Sequence, residues 1–136
     1  MPIVQSKKRD KQLTMNQKNV FGETIEICCS NPLTGYFRDG FCHTSEYDRG
    51  SHTVCAIISE EFLVFSHSRG NDLTTPRPEF EFPGLKPGQS WCLCAGRWLE
   101  AHEAGFAPKI HLQRTNSEAL NIVPMKLLKQ YAADLN

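Results

Sequence analysis

Four prolines within a short stretch, Pro76, Pro78, Pro83 and Pro87, limit more than any other feature what this chain can fold into. Each lacks a backbone donor and fixes φ, so the segment excludes regular helix and leaves only short extended pieces around Phe80 and Phe82. Regular elements must fall on either side of it. A connection this long in a small domain is more often functional than not.

Before that segment, Thr53-Val54-Cys55-Ala56-Ile57-Ile58 is a β-branched apolar run of strand length. Ser59 supplies a capping hydroxyl, Glu60 and Glu61 place charge where the helix dipole favours it, and Arg69-Gly70 offers an ending. These predict a helix over roughly 60–69. After the segment, Trp91-Cys92-Leu93-Cys94 predicts a strand with both cysteines on one face and Trp91 with Leu93 on the other. A helix over 97–104 closed by Gly105, and an alternating strand over 109–113, come next. A capping box of Thr115 with Glu118 predicts another helix, and Pro124 opens a last one striped by Met125, Leu128, Ala132 and Leu135. Upstream, 20–28 reads as a strand or short hairpin, and Asp39-Gly40 as a type I′ hairpin turn. Strands and helices in this irregular order predict an α+β fold, a two-layer sandwich of a small, mostly antiparallel sheet with three to four helices.

A length of 136 residues suits one domain. The balance of 15 basic against 15 acidic residues hides an asymmetry. Residues 1–18 hold Lys7, Lys8, Arg9, Lys11 and Lys18 against Asp10, so a flexible basic tail is expected over 1–18 and a mildly acidic α+β domain over 19–136. No apolar run follows the basic cluster as a secretory signal would require, so a cytoplasmic protein is expected. Apolar runs fall short of a membrane span, and a domain with no basic stripe is not expected to bind nucleic acid.

Location governs how Cys28, Cys29, Cys42, Cys55, Cys92 and Cys94 are read. In a reducing cytosol a domain of this size needs no disulfides, which leaves free thiols, metal ligands or small core residues. Cys92 and Cys94 are one residue too close for a zinc knuckle. As neighbours on one strand face they could still hold zinc with Cys42 and Cys55, helped by His43 or His52. Adjacent Cys28 and Cys29 would point to opposite faces and do not suit joint ligation. His52, three residues before Cys55, would activate a thiol only through a bend, because positions three apart on a straight strand face opposite ways. Common phosphate-loop, dinucleotide, zinc-protease and serine-elbow motifs are absent.

Ser68 to Glu79 gathers two arginines, an amide, two carboxylates and hydroxyls on a proline-stiffened loop. Arg69, Asn71, Asp72 and Arg77 are the expected ligand-binding residues, since guanidinium groups hold carboxylate or phosphate in a two-pronged geometry. Arg38 could join them. The same side chains could instead tie down the loop itself.

The strings GYFRDGFC (35–42), SHTVCAIISEEFL (51–63), SRGNDLTTPRPEFEFPGLKPG (68–88) and WCLCAGRW (91–98) resemble an uncharacterised bacterial family, DUF2237, from about Asn19 to about Tyr131. The resemblance implies a small α+β fold and brings no activity, cofactor or catalytic residue. Phe41 and Cys29 depart from the family pattern, which has a cysteine and a hydroxyl there. The functional expectation is a small domain whose Arg/Asn/Asp loop and nearby thiols bind a small anionic molecule or zinc. The alternative is a noncatalytic module that meets a protein partner, with its cysteines in the core.

Overall fold

The computed structural model describes residues 16–134; most of the expected basic tail, and Leu135, lie outside them. In chain order the elements are β1 (His52–Ile57), α1 (Glu60–Ser68), β2 (Ser90–Cys94), α2 (Ala95–Ala104) and α3 (Met125–Gln130). Short 3-10 turns occupy Pro78–Phe80, Leu112–Arg114 and Ser117–Asn121. Among the described residues no helix is long and apolar enough to cross a membrane.

The fold is mixed α+β, but its sheet is smaller than the layer expected: among the described residues the sheet has two strands, β1 and β2, paired antiparallel with Cys55 opposite Cys92 and Ala56 opposite Trp91. Local hydrogen bonds explain why the other predicted strands stop short. Ile110 bridges Ala56, and His111 N–H reaches Cys55 O at 2.9 Å, but Cys55 N–H then donates to the Thr115 hydroxyl rather than to a further carbonyl. The ladder ends there and the chain winds into a 3-10 turn. Thr115, spent on Cys55 and on His111 O, cannot form the expected capping box; Asn116 caps the next turn instead. Over 20–28, the Asn19 side-chain oxygen accepts the amides of Phe21 and Glu23 and curls the segment. Asp39-Gly40 is a turn without a hairpin, because Gly40 O is taken by the amides of Cys28 and Cys29.

Elsewhere the local chemistry predicts the element. Ser59 Oγ accepts Phe62 N–H at the start of α1, Gly105 takes the left-handed conformation after α2, and α3 begins after Pro124. Alternation along β1 and β2 sorts side chains as expected. Val54, Ala56, Trp91 and Leu93 face the main apolar core with Phe62, Trp98, Ile110 and Leu128, while Cys55 and Cys92 face a second, smaller core with Ile25, Cys28 and Cys42.

That second core corrects the reading of the cysteines. Cys28 bonds Cys55 and Cys42 bonds Cys92, so three of the four expected metal ligands are disulfide-bonded here, and the fourth, Cys94, is a free thiol with Cys29. The two bridges span 27 and 50 residues of sequence and pin the irregular segment 28–42 onto the hairpin. Loop closure alone gives such bridges ~3.5 and ~4 kcal/mol over the reduced chain. Replacing either pair by alanine (Cys28 with Cys55, or Cys42 with Cys92) is expected to lower the unfolding free energy in urea by ~3–4 kcal/mol. A loss below ~1 kcal/mol would mean that the loop needs no tether.

Candidate thiol site

His52 opens β1 and Cys94 closes β2, and the sheet register sets them opposite each other across a bulge between His52 and Val54. An extra residue in one strand reverses the facing of what precedes it. The bend that a His52 thiol pair needs is therefore present, with Cys94 rather than Cys55 as the partner. His52 Nε2 lies 3.3 Å from Cys94 Sγ, and Nδ1 lies 2.6 Å from Asp48 Oδ1. The Asp48 side chain is fully buried; its second oxygen accepts the His52 amide and the Thr44 hydroxyl, both at 2.9 Å. The carboxylate is thus fixed by three groups, and it fixes the ring.

The surrounding backbone is shaped for this contact. Ser51 is in the left-handed region (φ 48°), and its carbonyl accepts both Thr53 N–H and Ala95 N–H, joining the bulge to the start of α2. A non-glycine residue held there costs on the order of 1–3 kcal/mol, and such strain collects at functional sites. A Cβ on Gly50 would sit 2.8 Å from His52 Cε1 and 3.1 Å from Cys94 Sγ, so only glycine lets the loop close over the pair. Cys94 also occupies the N-cap of α2 without making a capping bond, which leaves its sulfur half-buried beside the positive end of a helix.

Burial pulls the His52 imidazole down, yet the Asp48 hydrogen bond and the sulfur of Cys94 outweigh it and raise the ring to about 10. At neutral pH the ring is an imidazolium, donating to carboxylate on one side and sulfur on the other. Burial likewise opposes the Asp48 charge, and the His52 bonds overcome it, holding the carboxyl below its ordinary range. A cation and a helix N-terminus thus flank the Cys94 sulfur.

His52 also opens onto a cleft made of two adjoining cavities of about 250 and 430 Å³, which share Arg38, His52 and Phe80. Arg38 braces it. Its guanidinium donates to the carbonyls of Gly35, Phe80 and Glu81 and lies 5.0 Å over the Trp91 ring. Arg38 and Glu81 are both left-handed non-glycine residues, so backbone strain flanks the cleft as well as the thiol pair.

A family model described as "Uncharacterized protein conserved in bacteria (DUF2237)" matches residues 18–132, a span that contains the thiol pair and the cleft. The chain belongs to the DUF2237 family. No curated protein matches it.

In this DUF2237 domain the proline-stiffened loop reaches the cleft only in part. Asp72 and Arg77 line it, and Arg77 makes no side-chain hydrogen bond or ion pair among the described residues. Asp72 is committed to the loop: its oxygens accept the amides and hydroxyls of both Thr74 and Thr75, which hold the carboxyl well below its usual range. Gly84 closes the loop, since a Cβ there would meet Thr74 O at 2.4 Å. Arg69 turns away, 3.7 Å from Glu100 and stacked over Phe65, and Asn71 uses its backbone to close the end of α1 on Ser66. His43 bonds Asp39 at 2.9 Å instead of joining a thiol. Among the described residues, the donor atoms that gather within 4.8 Å as a set of three or more are those of Cys28, Cys42 and Cys55. This DUF2237 cysteine cluster could hold a metal, and Cys94 is not part of it. Asp48 carried no signal in sequence beyond its i, i+4 spacing to His52, in a polar stretch with no other mark of structure.

A histidine raised on folding contributes stability that is complete below its ordinary value of 6.5 and disappears as pH rises through about 10. The lowered Asp48 carboxyl contributes above its ordinary 3.8 and is lost as pH falls. NMR titration of His52 in this DUF2237 chain is expected to show no step near 6.5 and one near 10. In Asp48→Asn the step should move down toward the ordinary value. An unchanged wild-type step near 6.5 would contradict the bonding described.

Proposed function

We propose that this domain is a thiol-dependent enzyme of small anionic substrates, with Cys94 as nucleophile, His52 as its proton partner and Asp48 as the residue that orients His52. The observation that carries the reading is the unbroken chain from a buried carboxylate, through an imidazole, to a half-buried thiol at a helix N-terminus. Nucleophile, base and orienting group within hydrogen-bond reach are the general signature of covalent catalysis by a side chain. Attack by the sulfur on an electrophilic carbon forms a covalent intermediate, and the His52 Nε2 proton goes to the departing group. Arg77, which makes no side-chain bond among the described residues, supplies the positive charge for a carboxylate or phosphate at the cleft wall, while Arg38 is consumed by the loop it braces. Of the two ligands the sequence suggests, the anion suits this cleft.

Cys94 is expected to react with iodoacetamide at pH 7 at least ~10-fold faster than Cys29, the other free thiol, and His52→Ala should erase the difference. Equal rates in the folded wild type would remove the enzyme reading and leave the interaction module. A thermal-shift screen of small carboxylates and phosphates tests the cleft. A ligand at ~100 times its dissociation constant stabilises by ~2.7 kcal/mol, and Arg77→Ala should lose that shift while melting like the wild type without ligand.

A further inference from the structure

The second core carries an inference independent of Cys94. Cys28, Cys42 and Cys55 place their sulfurs within 4.8 Å of one another, and Cys92 is bonded to Cys42 and sits opposite Cys55 in the sheet. Four sulfurs from four chain segments therefore share one buried cluster: two irregular loops, β1 and β2 each contribute one. None is more than 3% exposed, and the side chains packed with them are Ile25 and Phe41.

Sulfurs on one tetrahedral zinc, at ~2.3 Å from the metal, lie ~3.8 Å apart. Among Cys28, Cys42 and Cys55 the unbonded sulfurs need to close by no more than about 1 Å to reach that spacing, while the Cys92 sulfur, outside that group, has to swing in farther as its bond to Cys42 parts. We infer that Cys28, Cys42, Cys55 and Cys92 form a redox-gated zinc site, closed by two disulfides when oxidised and able to take one zinc ion when reduced. In the gating step each disulfide takes two electrons and two protons from a dithiol reductant, which leaves as its own disulfide. The four thiols then release their protons to solvent as zinc binds the sulfurs. Zinc fits because four thiolates in a closed, apolar pocket make a structural site with no position left for water. Either state ties residues 28 and 42 to the hairpin, so the tether behind the thiol site survives a change of redox compartment. The sequence points to Cys94 because it shares a strand face with Cys92, and away from Cys28 because adjacent Cys28 and Cys29 would point to opposite faces.

The test uses the full chain, purified oxidised and then reduced anaerobically with a phosphine, desalted, and offered zinc alone. About one zinc per reduced chain and less than about a tenth per oxidised chain are expected after dialysis. Cobalt in place of zinc should give a thiolate charge-transfer band with the same dependence on reduction. Stoichiometry should hold in Cys94→Ser and Cys29→Ser and fall below about a tenth in Cys28→Ser. If the reduced chain unfolds, circular dichroism should show it refolding as zinc is added. A reduced chain that neither binds zinc nor refolds with it overturns the inference. So does zinc retained in full by Cys28→Ser, or lost in Cys94→Ser.

Discussion

The antiparallel pairing of His52–Ile57 with Ser90–Cys94 is the interaction on which the rest depends. A two-stranded ribbon is marginal by itself in water, so both of its faces must be covered. Here the two coverings differ in kind. Val54, Ala56, Trp91 and Leu93 are buried by helices, while Cys55 and Cys92 are covered by an irregular segment without helix or strand that is held by covalent bonds. Disulfides are suited to that task because they remove conformational freedom from the unfolded chain without needing a large core.

The same pairing makes the site. Register sets Cys94 opposite His52, the bulge turns His52 toward the cysteine face, and the turn before β1 delivers Asp48 beneath the ring. The left-handed Ser51 and the close approach at Gly50 are costs of that placement. Left-handed Arg38 and Glu81, joined by a hydrogen bond, mark the cleft in the same way. Strain kept at three non-glycine residues around one depression is expected where geometry serves chemistry rather than stability.

What was legible in the sequence was local. Ser59 with Glu60 and Glu61 specified α1, alternation specified both strands and their faces, and Gly105 ended α2, because each depends on neighbours within a few residues. The strand or short hairpin expected over 20–28 is reduced to a tight turn closed by a Lys18–Thr24 bridge, and the strand expected over 109–113 fails where a side chain distant in sequence claims a backbone donor. Thr115 taking the Cys55 amide, 60 residues away, is the clearest case. The cysteines misled for a related reason. Their spacing carries no information about which loops fold onto the hairpin, and an argument from cellular compartment made disulfides look unnecessary. Residue by residue, the loop site divides by what each side chain is already doing: Arg77 lines the cleft with no side-chain bond among the described residues, Asp72 caps its own turn, and Arg69 belongs to another face.

Disulfide mapping is the most direct test of the central claim that the cysteines of the second core are structural and bonded while Cys94, at the end of the same hairpin, is a free and reactive sulfur. The native chain is alkylated without reductant, digested at acidic pH and analysed by mass spectrometry. Linked peptides joining Cys28 to Cys55 and Cys42 to Cys92 are predicted, with alkyl groups on Cys29 and Cys94 alone. Cys94 recovered in a disulfide, or Cys55 and Cys92 linked to each other, would contradict the account.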